Sequence, residues 1–133
     1  MRRICFLDMD GVVSDFAEQA YTFTGYDVTT FKDRELTPKE KIIQNKVFYS
    51  ADYSDRFRST MKPTKDAQDV MRTCQTHFDE VFFLSRFRPP KEHPERLDVV
   101  RQLKTDWVTK TFNGLIDTNH VIVTDKPKSS YII

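Results

Sequence analysis

The sequence has too few cysteines to be held together by them. There are two in 133 residues, Cys5 in a short apolar run and Cys74 on the apolar face of a helical pattern. That number and spacing give neither a disulfide framework nor a metal-site pattern, so both read as reduced core residues. A long apolar run is also lacking. Met1-Arg2-Arg3 resembles the charged start of a signal peptide, yet Ile4-Cys5-Phe6-Leu7 meets Asp8 after four residues, too short for a signal core or a membrane span. The expectation is a cytoplasmic protein with no membrane partner. Charge of one sign is missing too: Lys plus Arg is 21 and Asp plus Glu is 20, a net charge of +1. No region is a basic arm, which argues against duplex nucleic acid as a partner. Repeats and low-complexity segments are absent, and His77, His93 and His120 show no pairing that suggests a metal site.

What is present is a polar chain with large aromatic side chains. Apolar residues are 38% and charged residues 31%, but 11 Phe, 5 Tyr and 1 Trp supply buried surface that a disordered segment would lack. At 15.7 kDa the chain suits one domain, or one core carrying a small insert. Its partner is expected to be a small molecule or a protein.

Along the chain, Arg3 to Leu7 reads as a strand buried on both faces. From Ser14 to Gly25 the residues Phe16, Ala17, Ala20 and Tyr21 fall at helical spacing, with Gly25 able to end the helix in the left-handed conformation. Thr37-Pro38-Lys39-Glu40 starts another helix, Thr and Glu forming a capping box and Pro taking the first helical position. Thr64 to Phe78 is a third helix, with Ala67, Val70, Met71, Cys74 and Phe78 at three- and four-residue steps. Glu80 to Ser85 is a second buried strand, followed by the loop Arg86-Phe87-Arg88-Pro89-Pro90. Leu97, Val100, Leu103 and Trp107 mark a helix that begins near Pro94 and is finished by Gly114. Val121 to Val123 is a third strand, and Tyr131-Ile132-Ile133 begins a fourth.

Strands alternating with helices imply right-handed crossovers and a parallel α/β sheet, with a helical insertion after strand one. Ligands of such sheets sit outside the carboxyl ends of the strands. Attention therefore falls on Asp8 to Asp10, Ser85 to Arg88 and Thr124 to Lys128. Asp8-Met9-Asp10-Gly11 sets two carboxylates two residues apart at a strand end, then a glycine that lets the backbone turn close to a ligand. An Asp-rich turn alone would account for that stretch. With Ser85 and a later lysine at neighbouring strand ends, it belongs instead to a convergent set.

Phe6-Leu7-Asp8-Met9-Asp10-Gly11-Val12-Val13-Ser14-Asp15-Phe16 resembles the first motif of the haloacid dehalogenase (HAD) superfamily of phosphatases. It is most similar to their cytosolic-type deoxyribonucleotidases and related phage and bacterial nucleotidases. Val81 to Ser85 resembles the strand of the second motif. Lys104 to Phe112, with Trp107-Val108, resembles the helix before the third motif, and Val121 to Lys126 resembles the third motif itself. The resemblance runs the length of the chain, and the first motif is its specific part.

The resemblance implies a HAD-like Rossmannoid parallel sheet with helices on both faces. The core would span 1–13 and 62–133, and a helical cap 14–61. It implies a Mg²⁺-dependent phosphatase that hydrolyses a nucleoside monophosphate, a deoxyribonucleotide first among candidates, through an aspartyl-phosphate. Asp8 would be the nucleophile and Asp10 the general acid and then base. Ser85 would bond a phosphate oxygen and Lys126 would neutralise its charge, with Lys128 competing for that job and Arg86 placed to grip phosphate. Mg²⁺ would be held by the Asp8 carboxylate and the Asp10 carbonyl. Cap aromatics, drawn from Phe16, Tyr21, Phe23, Phe48, Tyr49, Tyr53 and Phe57, would pack the cap and supply one or two rings for the base.

The sequence departs from the family pattern at its end, where Ser130 to Ile133 resembles the fourth strand and stops before the acids that strand delivers. Asp125 is the residue available to replace them. The chain is then either a shortened form of a longer enzyme or a HAD-like domain acting as a nucleotide-binding or protein-interaction module. Both readings imply weak Mg²⁺ binding and slow turnover, and a terminal strand edge that invites a homo-oligomer.

Overall fold

In the computed structural model, residues 2–31, 34–49 and 51–131 are described, with side chains at 48, 49 and 51–53 left aside. The architecture is α/β. Strands β1 (Ile4–Leu7), β2 (Glu80–Arg86) and β3 (Val121–Thr124) form a parallel sheet in the order β1-β2-β3. The helices are α1 (Phe16–Thr24), α2 (Pro38–Tyr49), α3 (Ala51–Ser59), α4 (Ala67–His77) and α5 (Arg96–Thr111).

Local chemistry sets several boundaries as expected. Gly25 sits at φ 75° and donates to the Tyr21 carbonyl at 2.7 Å, ending α1. At the start of α2 the Thr37 amide donates to Glu40 Oε1 at 3.0 Å and the Glu40 amide to Thr37 Oγ1 at 3.2 Å, a complete capping box. Arg34 adds a two-pronged contact to Glu40, and together these hold the Glu40 carboxyl at about 2, well below the usual carboxylate range.

Register aligns Leu7 with Phe83 and Phe83 with Val121, so these side chains share one face with Cys5, Val81, Ser85 and Val123. That face is the core: Phe83 stacks on Phe112, and Phe112 meets Trp107 edge-on. Cys5 lies against Cys74 of α4, and burial with this neighbour pushes its thiol up to about 11. Two right-handed crossovers in the same direction place α4 and α5 over the same face. The other face, with Ile4, Phe6, Phe82, Leu84 and Ile122, is only partly covered, Leu84 alone of these five being buried. Two expectations are corrected here. The helices expected on both faces are, for the two crossover helices, on one. β1, expected to be buried on both faces, is an edge strand with Ile4 exposed.

The expected fourth strand is also corrected at Tyr131. That residue closes a 3-10 turn, Lys128–Tyr131, in which the Ser130 amide donates to the Pro127 carbonyl at 3.1 Å. Ile132 and Ile133 lie outside the described residues. After β1 the chain leaves and returns through adjoining segments: the Asp15 amide donates to the Lys62 carbonyl and the Thr64 amide to the Val13 carbonyl, each at 2.8 Å. Between them, α3 packs on α5. Asp55 pairs with Arg96 at 2.5 Å, and Trp107 Nε1 donates to the Met61 carbonyl at 2.6 Å.

Candidate active site

The turn after β1 is built from the backbone outward. The Met9 carbonyl accepts from the amides of Val12, Val13 and Ser14, and Gly11, at φ 79°, donates to the Ser14 carbonyl at 2.9 Å. A residue with a Cβ is strained at that φ. Ser14 is buried, and its Oγ reaches both the Met9 carbonyl at 3.1 Å and Asp10 Oδ1 at 3.0 Å, fixing the second carboxylate. Asp8 Oδ1 accepts from the Met9 amide at 2.9 Å. The two acids are thus held in place while their side chains stay 52% and 43% exposed, open to a ligand.

Three strand ends converge there. Ser85, at the carboxyl end of β2, is buried and accepts a 2.5 Å hydrogen bond from Lys104 Nζ. Lys104 comes from the middle of α5, its side chain only 8% exposed, and lies 3.8 Å from Asp10 Oδ2. Burial drives its ammonium below the usual lysine range, opposed by Asp10 and reinforced by Arg58. From beyond β3, Lys128 Nζ reaches Asp8 Oδ1 at 2.7 Å.

Of the expected site residues, Asp8, Asp10 and Ser85 come together. Lys126 does not join them. It is exposed, its amide donates to Thr124 Oγ1 at 3.1 Å, and its side chain meets no charged partner among the described residues. Pro127 then starts the turn that brings Lys128, two residues on, to Asp8. Arg86 lines the adjoining cavity and donates from Nε to the Asp125 carbonyl at 3.4 Å. The sequence assigns Lys104 no role beyond opening the segment that resembles the helix before the third motif, although it stands on the buried stripe Val100, Lys104, Trp107, Val108 of α5. A lysine on that stripe was the available signal.

Two cavities flank Asp10 and share Phe16. One, of about 150 Å³, is bounded by Met9, Lys104, Trp107 and Phe87 and by the arginines 58, 86 and 88. The other, more apolar, runs along Val28, Phe31 and Gln44. Among the described residues of 14–61, Phe16 lines both cavities and Phe31 lines the second. Phe23 and Phe57 pack the insert, edge to face at 5.4 Å, and Tyr21 faces solvent. The side chains of Phe48, Tyr49 and Tyr53 lie outside the described residues.

Among the described residues no group of three or more His, Cys, Asp or Glu side chains forms a metal site, and Asp125 joins none. Mg²⁺ requires less than that, commonly one or two protein carboxylates with substrate phosphate and water. Asp8 Oδ2 and the Asp10 carbonyl accept no hydrogen bond from a described residue, so both oxygens are open to such an ion. The donor set fits a metal that shares its coordination with the substrate.

No protein-family model matches the chain, and no curated protein matches it.

Proposed function

We propose that the chain is a phosphomonoesterase of the HAD type acting on nucleotides, deoxyribonucleotides first among them. The observation that carries this is the convergence of Asp8, Asp10, Ser85, Lys104 and Lys128 at the carboxyl ends of parallel strands, beside a cavity with aromatic walls. An Asp8 carboxylate oxygen attacks phosphorus as the bond to the leaving oxygen breaks, and Asp10 gives that oxygen its proton. Asp10 then takes a proton from water, which attacks phosphorus and releases the Asp8 carboxylate. The net change is ester plus water to alcohol plus phosphate.

Ser85 and Lys104 form the floor that receives a phosphate oxygen, and Lys128 meets the charge at the rim. Mg²⁺, when bound at Asp8 Oδ2 and the Asp10 carbonyl, would neutralise charge on the transferring phosphoryl group.

Phosphate release from a panel of nucleoside monophosphates, with and without Mg²⁺, tests the reading. Asp8→Asn should lower turnover by at least about 10³-fold with the fold intact by circular dichroism. Wild-type activity in that variant would remove Asp8 as nucleophile. Nucleotide binding with no turnover in either protein would favour the binding-module reading.

A further inference from the structure

Cys5 and Cys74 are the two cysteines of the chain, far apart in sequence, and the fold brings them together. Cys5 lies on the face of β1 that also carries Leu7 and looks onto the core, in register with Val81 of β2. Cys74 ends the stripe Ala67, Val70, Met71, Cys74 by which α4 packs on that core. The turn from α4 into β2 sets how the two meet. The Phe78 amide donates to the Cys74 carbonyl at 3.0 Å, and the amides of Asp79 and Glu80 both donate to the Arg3 carbonyl, at 2.9 and 3.2 Å. Asp79 Oδ2 accepts in return from the Arg3 amide at 2.6 Å. The end of α4 is thus tied to the chain two residues before Cys5.

The Cys5 thiol is in hydrogen-bonding contact with Cys74, and both residues are half-buried, so neither sulfur is sealed inside the core. The phosphoryl chemistry proposed above uses neither of them.

We propose that Cys5 and Cys74 form a reversible disulfide, a redox latch between β1 and α4. The oxidant is a low-molecular-weight disulfide. One protein thiolate attacks a sulfur of that disulfide and displaces a small thiolate, which takes up the proton the protein thiol lost. The second protein thiolate then attacks the mixed disulfide, forming the Cys5–Cys74 bond and releasing a second small thiol. Two protein thiols are oxidised, one small disulfide is reduced to two thiols, and no proton is gained or lost overall. Burial and the neighbouring Cys74 push the Cys5 thiol up to about 11, so Cys74 makes the first attack and Cys5 the second. Once Cys74 carries the mixed disulfide, its charge no longer holds Cys5 protonated. The bond closes a loop that contains all of 14–61, which restricts the unfolded chain and favours the folded one.

Equilibration of the full wild-type chain with oxidised and reduced glutathione, followed by alkylation of free thiols and intact mass measurement, tests this. A species lighter by two hydrogens should appear that takes up no alkyl group, yields a linked Cys5–Cys74 peptide on digestion, and reverts in dithiothreitol. At fixed reduced glutathione, half-conversion of the native protein should need at least about tenfold less oxidised glutathione than the chain in urea, because the fold holds the two thiols together. The oxidised protein should melt about 5 °C or more above the reduced one. Cys5→Ser should acquire its mixed disulfide faster than Cys74→Ser. Equal midpoints in native buffer and urea would overturn the proposal. So would free thiols, glutathione on each cysteine or disulfide-linked dimers in place of the internal bond, or an oxidised form that melts no higher than the reduced one. Mixed disulfide forming faster on Cys74→Ser would reverse the order of attack.

Discussion

Two lysines serve the same cluster of acids from opposite situations. Lys104 is fixed on a 16-residue helix, 8% exposed, with Ser85 at 2.5 Å. Lys128 stands 35% exposed on a short turn and meets Asp8 at 2.7 Å. An exposed pair like the second gains little, because water and salt screen it. The buried ammonium has lost its water on folding, so a phosphate oxygen reaching it displaces no hydration shell there, and in low dielectric the attraction is strong. The floor is rigid and prepared in advance, and the rim is adjustable.

The sharpest way to break this contrast is to remove each charge in turn. Lys104→Met should lower kcat/KM for a phosphomonoester by about 10²–10³-fold, the scale for losing one prepared stabiliser of transition-state charge. Lys128→Met should cost only about tenfold. Steady-state phosphate release decides, and equal losses would mean that burial confers no advantage. Thermal melts of the same proteins sharpen it. Lys104→Met relieves the cost of a buried charge but leaves Ser85 Oγ without its donor, so its stability should stay within about 1 kcal/mol of wild type.

The next effect tests whether the floor depends on its scaffold. Arg96, in the first turn of α5, is nearly buried against Asp55 of α3, and its Nε already lacks a partner among the described residues. Asp55→Ala leaves the guanidinium with less compensation and should destabilise the fold by about 1–2 kcal/mol, lowering Tm by about 5 °C. Because the pair pins the helix that carries Lys104, residual activity should fall more steeply with temperature than in Lys128→Met. Parallel temperature profiles for the two variants would separate the floor from the α3–α5 contact.

What was legible in the sequence was local. The Thr37–Glu40 box, the Gly25 stop and the Asp8–Gly11 turn depend on residues within a few positions of each other, so spacing alone reveals them. The three parallel strands were legible because short apolar runs alternate with helical patterns. The coverage of each face was not, since it depends on strand order, which periodicity does not contain. Nor was the identity of the lysine that meets Asp8 from beyond the third strand. Lys126 and Lys128 differ by one proline and one turn, and only the path of the backbone after Thr124 separates them. Lys104 was not legible because Leu97, Val100, Leu103 and Trp107 already complete an apolar stripe at helical spacing, and periodicity does not bring the lysine beside Leu103 into it. Tyr131 belonged to an apolar run too short to distinguish a strand from a turn.

The smallest effect concerns the proton on Lys104. Burial holds its pKa below the ordinary value of 10.5, with Asp10 opposing. Below both the folded and unfolded values the lysine is charged in both states, and the native fold bears the whole cost of the buried charge. As pH rises through the folded value, the native protein releases its proton while the unfolded chain still holds one. Stability therefore increases across that window and levels off above the unfolded value. Lys104→Met has no such proton, and every other titrating group is common to the two proteins. In metal-free buffer, the Tm of wild type should gain a few °C on that of Lys104→Met between neutral pH and about pH 10. Melts of both proteins at several pH values measure the gap. A gap that stays constant would mean the floor ammonium is as well solvated as the one on the rim, and the contrast between the two lysines would collapse.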